Sequence, residues 1–258
     1  MAPEPILSVR EVEVQFGGVQ AVAGCTFVVA PGQIVGLIGP NGAGKTSLFN
    51  AISGIVRHYH GEIRIAGRSL RGLPAHRVAA LGLSRTFQNI RLFRSLSVAD
   101  NVLVGEHRRI RENLLDSAFH TPRFHREEGA ALSRVENLLE FVGLQHLDPQ
   151  ALPGSLPYGD QRRLEIARAL ASQPRLLLLD EPAAGMNTVE SRSLGILVRS
   201  IRERGVTVLL VEHDMRVVMS VCDRVVVLNF GRLIAEGAPS EIQTNPEVIA
   251  AYLGGPPG

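Results

Sequence analysis

The stretch Gly39-Pro-Asn-Gly-Ala-Gly-Lys-Thr46 fits the pattern G-x-x-x-x-G-K-[ST] and decides how the rest of the chain is interpreted. The apolar run Ile34–Ile38 before it is typical of a buried parallel strand, and Ser47–Ser53 after it can form a helix. Glycines let successive N–H groups turn toward one anion, and the start of a helix adds positive potential. The order strand, loop, helix predicts a site for the phosphates of a nucleoside triphosphate.

Each residue of this loop has an expected role. Lys45 brings a positive charge to the outer phosphates, and the Thr46 hydroxyl can bind Mg²⁺. A chance glycine-rich turn is disfavoured because the whole motif stands between a strand and a helix. The other residues of the loop that we expect to contact the nucleotide are Gly39, Pro40, Asn41, Gly42, Ala43, Gly44 and Ser47.

Length and composition restrict the class of protein. The 258 residues allow one large or two small domains, and the net charge of +2 is too small to indicate a nucleic-acid partner. The apolar runs fall far short of the ~20 residues that span a bilayer, and the first residues do not resemble a secretory signal. Cys25 and Cys222 lie in apolar surroundings, as reduced core thiols do. We expect a soluble cytosolic protein whose membrane role, if any, comes through a partner.

The pattern of apolar residues changes along the chain. Residues 6–30 alternate, with Val12, Val14 and Phe16 on one face, which predicts antiparallel strands. Residues 98–147 are helical in character, and from 174 onward short strands and helices alternate, which indicates parallel strands with crossover helices. The apolar face predicted for the helical part consists of Leu132, Val135, Leu138, Leu139 and Val142.

The polar segment 106–128 has two interpretations. It carries five arginines and three histidines, and we expect a solvated helical hairpin or a tip that docks a partner. Metal binding by His58 with His60, or by His120 with His125, lacks a supporting pattern of acids or cysteines, so we expect surface histidines.

The run Leu176–Glu181 is the second strong signal. An apolar strand that ends in two acids fits a central strand whose carboxyl end opens on a ligand. Asp180 would hold Mg²⁺, and Glu181 would act as general base toward an attacking water. His213 follows the next predicted strand and can face the terminal phosphate, although a lone histidine is more often structural. Gln88, where a strand ends, is a weaker candidate.

The stretch Ser155–Gln161 leads into a helix with apolar Leu164 and Ile166. A helix start presents free N–H groups that can bind an anion, but it can equally lie on the surface with Asp160 complementing the helix dipole. The residues alone leave these two interpretations equal.

The order of these motifs resembles that of the ATPase subunits of ABC transporters: Walker A at 39–46, glutamine at 88, a signature-like turn at 156–161, Walker B at 176–181 and His213. More narrowly, Arg85-Thr-Phe-Gln, the Tyr-Gly form of the signature and Glu181-Pro-Ala-Ala-Gly-Met-Asn187 are similar to the branched-chain (hydrophobic) amino acid importers. The resemblance implies an α/β P-loop NTPase core with an antiparallel β-subdomain and an inserted α-helical subdomain. The expected bounds are 1–88 with 174–258 for the core and 89–173 for the helical part.

The resemblance also implies roles. Phe16 would stack on the adenine of ATP, with a core strand residue as the alternative, and Gln88 would link Mg²⁺ and the attacking water to the helical part. His213 would be the switch histidine. Two ATPase subunits would pair head to tail, and this chain would lend its signature turn to the ATP of the other. The residues implied in that turn are Leu156, Tyr158, Gly159, Asp160 and Gln161.

The implied partners are a second ABC ATPase, either a different chain or a second copy of this one, membrane permease subunits and, indirectly, an extracytoplasmic solute-binding protein. The implied place is the cytoplasmic face of the inner or plasma membrane. Three rival hypotheses stay open. The first is the same ATPase driving transport of another solute, such as urea, amides or a lipid-linked export substrate. The second is a regulatory ATP-binding subunit, and the third is an ABC ATPase of translation or DNA repair. The last of these normally has two cassettes or a long coiled coil, which this sequence lacks.

Departures from the family pattern concern the signature turn. The usual form is Leu-Ser-Gly-Gly-Gln, and Pro157 and Tyr158 replace the serine and the first glycine. Pro157 has no hydroxyl and no N–H, so two donors are missing. Asn187 stands where an aspartate is common. We therefore expect the site that this chain completes for its partner to be slow.

Overall fold

The computed structural model describes residues 4–106 and 122–253, with no side-chain detail for 122–128. The chain divides into two compact units: Met1–Arg85 with Arg175–Gly258, and Thr86–Pro174. The expected division of the chain at 88 and 174 stays a prediction. The strands are β1 (Leu7–Phe16), β2 (Val19–Val29), β3 (Ile34–Ile38), β4 (His60–Ile65), β5 (Arg68–Ser69), β6 (Leu83–Arg85), β7 (Leu176–Asp180), β8 (Thr207–Val211), β9 (Arg224–Asn229) and β10 (Arg232–Gly237).

The described helices range in length from 6 to 20 residues. They are α1 (Lys45–Ile52), α2 (Ala75–Ala80), α3 (Val98–Glu106), α4 (Pro122–Phe141), α5 (Tyr158–Ala171), α6 (Thr188–Glu203), α7 (Met215–Val221), α8 (Pro239–Thr244) and α9 (Pro246–Leu253). A 3₁₀ turn, Pro153–Ser155, precedes α5. Within 4–106 and 122–253, no helix is both long enough and apolar enough to cross a bilayer.

The first unit contains two sheets. An antiparallel sheet has the order β2-β1-β4-β5, as the alternation of residues 6–30 predicts for β1 and β2. The other sheet has the order β10-β9-β3-β8-β7-β6 and is parallel except for β10. Every residue of β3, β7 and β8 is buried because these strands are covered on both faces. This parallel sheet aligns the carboxyl ends of three strands at one edge.

The second unit is helical. α3 contacts α4 and α5, and α4 contacts α5. Leu138 is half-buried, whereas Leu132 is 45% exposed, so the predicted apolar face is wrong at that position. Ala131 is buried in its place, one turn before Val135, because the buried stripe follows the spacing 131, 135, 139 and 142. Most of the polar segment 106–128 lies outside the described residues.

The end of the chain contains one strand that the sequence pattern did not predict. Phe230 and Gly231 both have positive φ, 45° and 78°, and form a tight turn that joins β9 to an unpredicted antiparallel strand, β10. Two short helices, α8 and α9, follow β10, and the second ends at Leu253. Pro246 cannot continue α8, and the Asn245 side chain accepts the N–H groups of Glu247 and Val248 at the start of α9.

Candidate nucleotide-binding site

Three adjacent strands bring the predicted triphosphate residues to one edge of the sheet. β3 ends at Ile38 and leads into the loop 39–46, β7 ends at Asp180, and β8 ends just before Glu212 and His213. Asp180 and Val211 are register partners, so the acids after β7 lie beside the polar residues after β8. The carboxyl edge of a parallel sheet is where ligands of α/β proteins bind. All of these residues belong to the first unit.

The lysine of the loop points into the loop. Lys45 is buried, and its Nζ donates to the carbonyl oxygens of Gly39 and Pro40 over 2.7 and 2.9 Å. Burial lowers the pKa of Lys45, and the negative charge of Glu181 acts in the opposite direction. α1 has Gly44 as its N-cap, which offers no side-chain cap, so the N–H groups of the first turn have no partner within the helix. A buried ammonium and open N–H groups in one loop form an anion site.

Two glycines of the loop are required by its shape. Gly39 has φ 150°, and a Cβ there would lie 2.1 Å from the Leu228 carbonyl oxygen. Gly44 has φ 97°, and a Cβ there would lie 2.2 Å from the Ala21 carbonyl oxygen. No side chain fits at these distances, so the backbone of β2 and β9 holds the loop closely from outside. The motif therefore needs glycine for packing as well as for its turn.

The C-terminal helix also contacts the loop, which the sequence did not indicate. Tyr252 on α9 lies near enough to Gly39 for the backbone N–H of Gly39 to influence the pKa of the phenol. Burial raises the pKa of Tyr252, and this N–H acts in the opposite direction. Gly39 thus has Lys45 at its carbonyl oxygen and Tyr252 near its N–H.

Asp180, the predicted Mg²⁺ ligand, is held by an arginine that sequence reasoning gave no role of its own. Arg85 Nη2 lies 2.7 Å from Asp180 Oδ2, and the two side chains are 7% and 8% exposed. The Nη1 group of Arg85 donates to Asn50 Oδ1 over 2.8 Å and to Ser53 Oγ over 2.7 Å. Arg85 therefore fixes the end of β7 against the last turn of α1. Its place at the start of Arg85-Thr-Phe-Gln was the only signal in the sequence.

The oxygen donors at this edge fit Mg²⁺. Mg²⁺ is usually held by one or two carboxylates together with substrate phosphates and waters, not by a dedicated protein cage. The described residues contain no group of three or more acids, histidines or cysteines placed for a metal, and Asp180 with the exposed Thr46 hydroxyl is the donor set that such a site needs. Their role in holding Mg²⁺ stays a prediction.

Glu181, the predicted general base, sits on a strained backbone. Its φ of 45° lies in the left-handed region, which is uncommon for a residue other than glycine. Its N–H donates to the Val211 carbonyl oxygen over 2.9 Å, which ties this turn to β8. His213 Nδ1 lies 3.7 Å from Glu181 Oε2. Strain of this kind persists where the surrounding structure imposes it, often at functional sites.

A third acid, Glu212, lies at the centre of this edge and was missed. Its side chain is completely buried, and its carboxylate accepts the N–H groups of Ala183 over 2.8 Å and of His213 over 3.1 Å. Burial raises the pKa of Glu212, and these N–H groups act against that rise. Glu212 connects the turn after Glu181 to the turn that carries His213. The sequence signal was its place between the apolar run and the histidine.

The structure separates the predicted residues by unit. Phe16 is 51% exposed at the end of β1, so the alternative of a core strand residue is wrong, and an exposed ring is what stacking requires. Asn41 and Gly42 are exposed, whereas Ala43 is buried. Gln88 is exposed in the second unit, as is Tyr158 of the signature turn.

In the signature turn, a side chain at one end bonds to the backbone at the other end. Leu156 is buried, and its carbonyl accepts the Gln161 Nε2–H over 2.9 Å. Pro157 is exposed at the N-cap of α5, where no side chain caps the helix. Gly159 follows in the first turn. Asp160 occupies the position of the usual glutamine, a third departure that sequence reasoning did not note, and lies 3.5 Å from His146 Nε2.

Asn187 has a local structural role. Its side chain accepts the N–H groups of Val189 and Glu190 over 2.9 and 3.0 Å, and Glu190 Oε2 accepts the Asn187 N–H in return. This capping box starts α6. The replacement of the usual aspartate therefore keeps the cap while removing one charge. Cys25 and Cys222 are buried free thiols, as predicted, and burial raises the pKa of each to about 12.

Comparison with known proteins agrees with this geometry. Residues 22–184 match the ABC transporter family, and residues 232–257 match the branched-chain amino acid ATP-binding cassette transporter family. The chain is 47% identical over 251 residues to the high-affinity branched-chain amino acid transport ATP-binding protein BraF of Pseudomonas aeruginosa, covering 97% of this chain and 98% of that protein. It is 45% identical over 253 residues to LivG of Escherichia coli, with the same coverage.

A solved structure shows the same fold. The ADP conformation of an ATP-binding cassette of an ABC transporter superposes with a TM-score of 0.83 and 28% identity, covering 97% of this chain and 99% of that one. The family match covers more than half of the chain, and the identity to BraF and LivG extends over nearly all of it. This chain belongs to the ABC transporter family, among the ATP-binding proteins.

Proposed function

We propose that this chain binds and hydrolyses ATP to drive the import of branched-chain or related hydrophobic amino acids. The observation that carries the proposal is the meeting of loop 39–46, Asp180, Glu181 and His213 at one sheet edge. The identity of the chain to BraF and LivG, which are named as branched-chain amino acid transport proteins, supports the cargo.

The residues at this edge have complementary tasks. Lys45 and the N–H groups of the loop and of the first turn of α1 bind and orient the outer phosphates. Thr46 and Asp180, together with Gln88, would hold Mg²⁺, which neutralises charge on the phosphates when it is bound. Glu181 accepts a proton from the attacking water, and His213 beside it faces the terminal phosphate. Phe16 stacks on the adenine.

The site needs a partner to be complete. A second ABC ATPase, a different chain or another copy of this one, places its signature turn on the ATP bound here, while Leu156, Tyr158, Gly159, Asp160 and Gln161 serve the ATP of that partner. Permease subunits hold the pair at the cytoplasmic face of the membrane, and a solute-binding protein delivers the cargo to them. Gln88 transmits the state of the site to the helical unit.

Stimulation of the assembled transporter tests this function. We expect phosphate release by the purified complex to rise when its binding protein carries leucine, isoleucine or valine. The control is the same binding protein without solute or with urea. Stimulation by urea or by an amide alone would show that one of these, and not a branched-chain amino acid, is the transported solute. A chain that binds ATP but releases no phosphate with its partner would be a regulatory subunit.

Restoring the serine of the signature turn gives a sharper test of the shared site. The Pro157→Ser variant regains a hydroxyl and an N–H at the exposed N-cap of α5. One hydrogen bond to a charged group is worth ~1–3 kcal/mol, so we expect the ATPase rate of the assembled transporter to rise about fivefold or more. Phosphate release at saturating ATP measures it.

The matched control is Pro157→Ala, which regains the N–H without the hydroxyl. An ATPase rate for the alanine variant between those of the wild type and the serine variant would show that the N–H and the hydroxyl of residue 157 both contribute to the increase. Equal rates for the wild type and the serine variant would remove the expectation that Pro157 slows the site.

A further inference from the structure

A buried ion pair in the second unit has no role in the function described so far. Arg162 and Glu165 lie one turn apart on α5, with side chains 0% and 1% exposed, and Arg162 Nη1 lies 2.8 Å from Glu165 Oε2. Such a pair is often no more stabilising than apolar residues of similar volume, because both charges lose their hydration. In addition, the Arg162 Nε is buried with no hydrogen-bond acceptor in the described part of the chain. Stability alone therefore does not account for this pair.

The pair binds the backbone on both sides of Gln88. Arg162 Nη1 donates to the Phe87 carbonyl oxygen and Nη2 to the Gln88 carbonyl oxygen, each over 2.6 Å. Glu165 Oε1 accepts the N–H of Arg91 over 3.1 Å and that of Phe87 over 3.4 Å. Arg162 thus donates to two carbonyl groups of segment 87–91, and Glu165 accepts hydrogen bonds from two of its amides.

The same arginine holds the signature turn. Arg162 Nη2 lies 3.2 Å from the Tyr158 hydroxyl oxygen, and the guanidinium carbon is 5.9 Å from the centre of the Tyr158 ring. Glycine, which stands at this position in the usual signature, cannot make either contact. The departure at Tyr158 therefore supplies a partner for Arg162 that the usual motif lacks.

We infer that Tyr158, Arg162 and Glu165 form a clamp that fixes the Gln88 segment to the first turn of α5. While these contacts are in place, the distance between Gln88 and the signature turn is fixed, and the two move together. The effect of this spacing on ATP hydrolysis rests on the proposed function. The proposed function assigns Gln88 to the ATP bound by this chain and the signature turn to the ATP bound by the partner. Arg162 and Glu165 are positioning residues in this scheme.

The double variant Arg162→Met with Glu165→Leu tests the clamp without leaving a lone buried charge. Apolar replacement of both partners of a buried pair is often neutral for stability. Arg168, 3.9 Å from Glu165, keeps its contact with the ring of Phe93. We expect amide hydrogen exchange in the peptide 86–91 of the full chain to become about tenfold faster, since the Phe87 and Arg91 amides lose Glu165 as an acceptor.

A matched pair in the same unit provides the control. Arg134 and Glu106 form an ion pair over 2.8 Å, with Glu106 buried, that joins α4 to α3. The control variant Arg134→Met with Glu106→Leu also removes both partners of an ion pair, here one whose arginine is 37% exposed, and is expected to leave exchange in 86–91 unchanged. Tyr158→Phe removes only one hydroxyl from an exposed ring and is expected to give a smaller acceleration in the same peptide.

Kinetics of the assembled transporter give the second measurement. We expect the clamp variant to lower kcat for ATP at least fivefold while KM for ATP stays within twofold, since the loop 39–46 is untouched. Unchanged exchange in 86–91, or the same acceleration in the control pair, would overturn the clamp. A wild-type complex without ATPase activity would instead refute the proposed function, while the exchange measurement would still decide the clamp.

If the double variant does not fold, Glu165→Gln and Tyr158→Phe decide the question by the same exchange measurement. Each keeps the size of its side chain and weakens one arm of the clamp. Acceleration confined to 86–91 supports the clamp, and no change in either variant contradicts it.

Discussion

Replacing Glu181 by Gln should lower phosphate release by the assembled transporter by about 10²–10⁴-fold, the usual contribution of a general base. Glutamine has nearly the same shape but cannot accept a proton from water. The backbone of residue 181 is held by its N–H bond to Val211, so the amide should occupy the place of the carboxylate. ATP binding should persist, because Lys45 and the loop 39–46 are unchanged.

Two measurements on the same protein separate the steps: ATP affinity by equilibrium binding and phosphate release at saturating ATP. The control is Glu203→Gln, an exposed acid at the end of α6, which should change neither quantity. Full hydrolysis by the Glu181 variant would show that another group, such as His213 beside it, serves as the base. Loss of ATP binding would show that the variant acts on the phosphate site itself.

Replacing Arg85 by Met should lower the free energy of unfolding by about 3–5 kcal/mol, because it leaves the buried Asp180 carboxylate without its charged partner. The pair is short, at 2.7 Å, and both side chains are more than nine-tenths buried. Asn50 and Ser53 lose the same donor, so the link between β7 and α1 is lost as well. Urea denaturation of the chain without nucleotide, with the slope compared between variants, measures the change.

An exposed pair in the same unit is the matched control. Arg64 lies 2.8 Å from Glu62, but the two side chains are 47% and 33% exposed, so Arg64→Met should lower the free energy of unfolding far less than Arg85→Met does. Adding Asp180→Asn to Arg85→Met should recover part of the loss, because residue 180 is then uncharged and no longer needs the Arg85 guanidinium. A loss for Arg85→Met no larger than that for Arg64→Met would contradict the role of Arg85.

Local sequence patterns were sufficient to predict most of the strands and the loop 39–46 with the acids after β7. The motif 39–46 between a strand and a helix, the alternation of residues 6–30 and the apolar run that ends at Asp180 each depend on neighbours in the chain, and all three predictions of strands were confirmed. The tight turn at Phe230 and Gly231 was missed because a phenylalanine rarely adopts the positive φ that Phe230 has there. Leu132 was placed wrongly because periodicity does not show which positions a neighbouring helix covers.

What the sequence by itself determined was therefore the fold class, the family and the motifs that meet at the carboxyl edge of the parallel sheet. Only the tertiary structure decided what holds those residues in place: Arg85 on Asp180, Glu212 between two turns, Tyr252 beside Gly39, and Arg162 on the Gln88 segment. These partners lie far apart in the sequence, and each contact depends on the order of strands or on the packing of α5. A local pattern can require a residue type at a position, but it cannot specify which distant side chain will neutralise a buried charge.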